Sequence, residues 1–419
     1  MDRLTVVDEI FLRRHHGYGL PIVMQGLWRT PDTVAVPLLA SVHDVLAGGP
    51  LGRRVVRSRV PGARLRWEAG TDALPLHYAI DPVGDVVAWA DAQTGVDVDP
   101  EHGPGWALSA APIRGGGTVI SLVCSHVVAD ARGLVDAVDA ALTGRPPAPA
   151  PPRTSDVADA ARVLGRVVAG GARASLALLF SARRRRELRA FTAASPTGPA
   201  RTVTAVSTAI VDVDAGVWDA AAAADGGTPN GLFLSVVAGI ADAAGTAMPL
   251  HVSVPVDVRE HGGTGNAVVV TDVAVSPEDS LAEVRQACRD AFARAPMGAP
   301  SGFPEETVHL LPDRLAHRLT AGAGERDALC SNVGRLPDSL ASLGPYRATG
   351  VATRAMHPGL SPSCPSRTST RLSAYLCRGG DTYTLSLVAL DTTTFGDGAA
   401  LRELVVGRLA ARGLPARAW

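Results

Sequence analysis

Apolar and polar residues along this chain change period repeatedly, and each change marks an element. Apolar positions recur at helical spacing over residues 5–14 and 34–47, while residues 21–27 alternate as a half-buried strand does. Residues 64–67 and 86–89 are apolar pieces too short to type by period. Residues 106–113 and 118–124 are strand-like runs on either side of Gly115-Gly116-Gly117, the pattern of a hairpin. Helical spacing returns over residues 131–142. Then Gly144-Arg145-Pro146-Pro147-Ala148-Pro149-Ala150-Pro151-Pro152 interrupts the pattern. Its prolines fix the backbone and remove amide donors, so it reads as a stiff linker.

The second half begins with a helix-like run over residues 157–179 that ends in Arg183-Arg184-Arg185-Arg186. Strands are expected over residues 202–213, 251–256, 268–275 and 329–333, with helices over 231–244 and 280–293. Residues 372–376 and 383–390 read as a hairpin around Gly379-Gly380-Asp381, and residues 398–411 as a closing helix. Both halves mix α and β, so the expected fold class is α/β with two lobes. The expected division is 1–150 for the N-terminal lobe, 151–190 for a linker and crossover helix, and 191–419 for the C-terminal lobe.

Composition narrows the function classes. The chain has 419 residues, 46% hydrophobic and 19% charged, which supports a large core and argues against disorder. A net charge of −1 gives no electrostatic footprint for nucleic acid. The five cysteines, Cys124, Cys288, Cys330, Cys364 and Cys377, form no CxxC pair, which argues against a zinc site and a disulfide scaffold. No apolar signal core opens the chain and no uninterrupted apolar run reaches membrane-span length, so the expected compartment is the cytoplasm.

The chemistry concentrates at Ser125-His126-Val127-Val128-Ala129-Asp130, with a strand before it and a helix after it. An imidazole in such a loop is the side chain best suited to take a proton from an alcohol or amine near neutral pH. His-x-x-x-Asp spacing also occurs at His77/Asp81 and His309/Asp313. The first runs into Pro82 and the second contains Pro312, and neither has a strand before and a helix after. His15-His16 has no carboxylate at the matching spacing.

This motif resembles the His-His-x-x-x-Asp-Gly signature of the chloramphenicol-acetyltransferase-like superfamily, which includes condensation domains and bacterial wax ester synthase/diacylglycerol acyltransferases. Four further segments resemble that superfamily in its own order. They are Leu4-Thr5-Val6-Val7-Asp8-Glu9-Ile10-Phe11-Leu12, Gly226-Gly227-Thr228-Pro229-Asn230-Gly231, Val254-Pro255-Val256-Asp257-Val258-Arg259 followed by Gly265-Asn266, and Cys330-Ser331-Asn332-Val333-Gly334. Ser125 stands where the superfamily has its first histidine, Ala131 where it has glycine, and Gly231 where the wax ester synthase branch has aspartate.

The resemblance implies two lobes set in a V with a channel between them, and acyl transfer from a thioester. It implies His126 as general base and Asp130 as an orienting residue tied to an arginine, for which Arg259 is the candidate. Ser125 takes the place of the first histidine, and Ser331 and Asn332 are candidates for lining the channel or meeting the oxyanion. No bound cofactor and no metal are implied. Acyl-CoA or a phosphopantetheinyl thioester is a co-substrate, and the acceptor is a small-molecule or lipid alcohol or amine. A carrier protein is the alternative donor, and a non-catalytic binding member is the remaining alternative. Arg183–Arg186 fits coenzyme A phosphates, an acidic carrier-protein helix or anionic lipid, which leaves room for peripheral membrane contact, against the plainer reading of a solvated helix end.

Overall fold

In the computed structural model, residues 3–70, 73–146, 154–186, 200–259, 265–293, 302–322 and 324–419 are described. From Pro147 the proline-rich segment read as a stiff linker lies outside them. Two mixed sheets organise the chain. The first has five strands in the order Gly350–Met356, Val23–Thr30, Thr118–Ser125, Trp106–Pro112, His77–Tyr78. The second has seven, in the order Val268–Val275, Leu250–Asp257, Ala328–Arg335, Leu372–Gly379, Thr382–Ala389, Ser207–Asp214, Ala416–Ala418. The fold is α/β with two lobes, each built around one sheet. The first sheet draws its edge strand Gly350–Met356 from the second half of the chain.

The expected hairpins form. Trp106–Pro112 pairs antiparallel with Thr118–Ser125, and Leu372–Gly379 with Thr382–Ala389. The expected strand over residues 202–213 is two strands. Arg201–Val203 leaves the large sheet to pair with Ser366–Thr368, and only Ser207–Asp214 stays in it. The short piece at 86–89 is the start of a helix, Val86–Gln93, because Asp85 caps it by accepting a hydrogen bond from the Ala88 amide at 2.9 Å.

Two cores form, and Tyr375, Cys377 and Val388 of the second sheet join the first. Trp106, Leu108, Ile120, Leu122, Leu134 and Val138 fill the first, between the sheet and the helices Val36–Gly48 and Ala131–Thr143. Helix Pro229–Ala243, buried along Gly231–Ala241, is packed into the second. Helix Asp156–Phe180 behaves differently. Asp159, with no exposed surface, pairs with Arg64 at 2.7 Å, and Asp156 pairs with Arg3 at 2.6 Å, so its first turns are bound to the protein. Val157, Leu164, Val168, Leu176, Leu179 and Phe180 face outward. Its length and composition would allow it to cross a membrane, although Arg162, Arg166 and Arg173 interrupt the apolar run.

Candidate active site

The motif is delivered by pairing. Ser125 lies opposite Val23 in the sheet, and its amide donates to the Gly105 carbonyl at 2.8 Å. The strand ends there. The Ser125 carbonyl then accepts the Val128 amide at 2.9 Å, which closes the turn that carries His126. Asp130 begins the next helix, Ala131–Thr143, by accepting the Gly133 amide at 2.7 Å. Gly133 matters for space: a Cβ at that position would lie 3.3 Å from the Asp130 carboxylate and 3.8 Å from the Arg259 guanidinium. Ala131 is the first residue of a regular helix turn, a position that asks for no glycine.

Arg259 donates to both Asp130 oxygens at 2.7 Å and to the Gly265 carbonyl at 3.0 Å. The Ala267 amide also reaches Asp130, at 3.2 Å. Both side chains of the pair are nearly shielded from solvent, at 7% and 4% exposure. Burial opposes the charge on Asp130, but Arg259 and the two amides outweigh it and hold the carboxyl below its ordinary range. Its acceptor capacity is spent on structure, so it points to no substrate proton.

His126 sits against the ring of Phe11, centroids 3.7 Å apart and planes inclined by 14°. Its Nδ1 is buried with no hydrogen-bond partner. Burial pushes the imidazole down to about 4, against the pull of the Asp130 carboxylate. At neutral pH the ring is therefore unprotonated and able to accept a proton. The neighbouring Cys124 thiol is pushed up to about 12 by burial, which removes it as a thiolate nucleophile.

The loop backbone is held by residues whose roles no local motif revealed. Asn266 donates from Nδ2 to the His126 carbonyl at 2.8 Å and to the Asp8 carboxylate at 2.7 Å. Asp8 also closes the capping box of the first helix, Val6–His15, with Thr5. Arg53 donates to the Val128 carbonyl at 2.7 Å while its guanidinium lies 4.0 Å over the Trp67 ring. Asp8 and Asn266 each fell within a segment already singled out, but nothing in those segments said that the two side chains meet. Arg53 carried no sequence signal.

The other candidates lie as follows. The Ser125 hydroxyl accepts the Val127 amide at 3.4 Å and is buried in the turn. Asn332 donates to Asn230 at 3.1 Å and accepts the Gly334 amide at 2.9 Å, at a bulge in its strand. Among the described residues no hydrogen bond joins Ser331 or Asn332 to His126. His309 is buried against Glu9 at 2.7 Å, and Arg13 links Glu9, at 2.9 Å, to Asp313, at 3.1 Å. This histidine anchors the first helix. His15 and His16 meet Asp99 and Glu101 across a loop. Among the described residues no cluster of three or more His, Cys, Asp or Glu side chains is placed to hold a metal ion.

No family model matches the chain, and no curated protein matches it by sequence. Solved structures do match over its full length. The first condensation domain of the CDA synthetase superposes with a TM-score of 0.58 at 17% identity, over 97% of this chain and 96% of that one. The wax ester synthase/diacylglycerol acyltransferase from Marinobacter aquaeolei VT8 gives 0.56 at 14% identity, over 98% of both chains. The epimerization domain of tyrocidine synthetase B gives 0.52 at 13% identity, again over 98% of both. The chain has the two-lobed α/β fold of these proteins, the chloramphenicol-acetyltransferase-like fold.

Proposed function

We propose that this protein is an acyltransferase that moves an acyl group from a thioester to a hydroxyl or amine, with His126 as general base. The observation that carries the reading is the state of His126: an unprotonated ring, an unpartnered nitrogen, and a neighbouring carboxylate already committed to Arg259. In the proposed step the acceptor oxygen or nitrogen attacks the thioester carbonyl as its proton passes to His126. The C–S bond then breaks, and the leaving thiolate takes that proton back from the imidazolium. A ring at about 4 is always available as a base but is a weak one. The reading therefore assigns much of the rate to holding the two substrates together between the lobes and to the activation already present in the thioester.

The full-length likeness to condensation domains supports a second donor, a thioester on a carrier protein, beside acyl-CoA. A thiol-release assay with a panel of acyl-CoAs and with an acyl-loaded carrier protein separates the two. In the same assay His126→Ala is expected to lower turnover by roughly 10²–10⁴ while leaving thioester binding almost unchanged. Turnover unchanged in His126→Ala would remove the base and leave a proximity catalyst, and no thiol release from any donor would leave a binding protein.

A further inference from the structure

A second histidine shares the site. Val23 pairs with Ser125 on one side and with Met356 on the other. The residues that follow those two partners, one step beyond the strand ends, are His126 and His357, so the two histidines flank Ile22, whose carbonyl accepts the His126 amide at 3.4 Å. Strand spacing sets their Cα atoms about 10 Å apart. The His357 Nδ1 bonds to the Pro21 carbonyl at 2.9 Å. A carbonyl only accepts, so Nδ1 carries the hydrogen and Nε2 presents a lone pair. That Nε2 is buried with no donor facing it, on a residue 8% exposed. His357 thus offers an acceptor to something the protein does not supply.

Arg14 adds the opposite requirement. It stands in the last turn of the first helix, with its guanidinium carbon 5.9 Å from the centre of the Phe11 ring that stacks on His126. Its charge acts on His126, His357 and His317 alike. Among the described residues the Arg14 guanidinium has no ion pair and no hydrogen bond, while the Arg14 carbonyl accepts the Gly17 amide at 3.1 Å. Glu325 is the acid whose charge reaches it, and that carboxylate already accepts from Thr368 Oγ1 at 3.1 Å and from the Ser369 amide and hydroxyl, each at 3.0 Å. Gly19 lies beside Arg14 with φ of +96°, a conformation that favours glycine, and a Cβ there would make ordinary contact with His317 at 3.4 Å and Arg14 at 3.9 Å.

We propose that Arg14 and His357 together recognise an acyl acceptor that is itself an acid, a hydroxy or amino acid, with its carboxylate on Arg14 and its hydroxyl or amine directed at the two imidazoles. A guanidinium without a counter-ion, the His357 Nε2 acceptor and the unprotonated His126 ring beside it are complementary to a molecule carrying one anion and one O–H or N–H group. A neutral alcohol or amine would leave Arg14 unmatched. The inference rests on the reading of His126 as the base, but its test needs no turnover.

The probes are 2-hydroxyhexanoate and 2-hydroxyhexanamide, titrated into full-length protein with isotope-labelled histidine. Ring nitrogen shifts are read by NMR and assigned with His126→Ala and His357→Asn. The acid is expected to shift both rings saturably and the amide to bind far more weakly. Arg14→Gln should weaken the acid by roughly tenfold or more, with Arg14→Lys in between. Equal binding of acid and amide, unchanged binding in Arg14→Gln, or no saturable response to the acid would each overturn the proposal. Any of these beside a His126→Ala variant that still loses thiol release would leave the acyltransferase reading standing.

Discussion

At the scale of residues, the site divides its two charged-looking side chains into different jobs. Asp130 is ionised, buried and fully engaged, and His126 is half-buried and neutral, stacked on Phe11 with its Nδ1 lacking a hydrogen-bond partner. A carboxylate holding Arg259 at 2.7 Å cannot be exchanged without stranding a cation that is 7% exposed. Asp130→Asn keeps the shape but removes the charge, and it is expected to cost about 3–5 kcal/mol of stability, the range for breaking a buried pair. Urea denaturation of wild type and variant checks this. A soluble variant of wild-type stability that has lost only turnover would instead make Asp130 part of the proton transfer. Ser125, at the place of the first histidine in the resemblance, accepts a loop amide with its hydroxyl, and the turn closes through backbone bonds.

At the scale of elements, the loop depends on a helix far away in sequence. Thr5 caps the first helix, and Asp8 closes that capping box by accepting the Thr5 amide while also holding Asn266, which in turn holds the carbonyls of His126 and Val127. Asp8→Ala keeps the Thr5 hydroxyl on the residue-8 amide but removes the reciprocal bond from the Thr5 amide to the carboxylate, worth about 0.5–1.5 kcal/mol, and leaves a buried Asn266 N–H unmatched, worth about 1–3 kcal/mol. Thermal unfolding should therefore show a clear loss, and the Phe11–His126 stacking should loosen with the helix. A variant with an unchanged melting temperature would mean that Asn266 holds the loop without Asp8. Strands that are mostly apolar runs were legible in the sequence, such as Thr118–Ser125 and Val268–Val275. Gly350–Met356 was not. It is buried along its whole length and carries Arg354 in its middle, a charge that reads as surface until Asp91 is seen at 2.6 Å. His357 follows directly on that strand, so the site's second histidine was hidden with it.

At the scale of the whole molecule, the lobes are tied through polar groups that no short window contains. Gln25 receives Arg354 at 2.8 Å and donates to Ser121 at 2.8 Å. Arg354 reaches Asp91, and Asp91 accepts Thr208 at 2.6 Å from the second sheet. The Asp130–Arg259 pair joins the same two halves beside His126 and was anticipated from the resemblance of the Val254–Arg259 segment. Arg14 and His357 were not, because each is defined by what it lacks, a property visible only once neighbours are placed. The most direct test of the account is the pH dependence of kcat/KM for thiol release, with folding followed by circular dichroism at each pH. A base must be unprotonated to act, and burial holds His126 at about 4. The account predicts a flat profile from neutral pH down to about 5, a fall through about 4, and loss of that acid limb in the residual activity of His126→Ala. An acid limb centred near 6.5, the value of a solvated imidazole, or one that survives in His126→Ala, would contradict it.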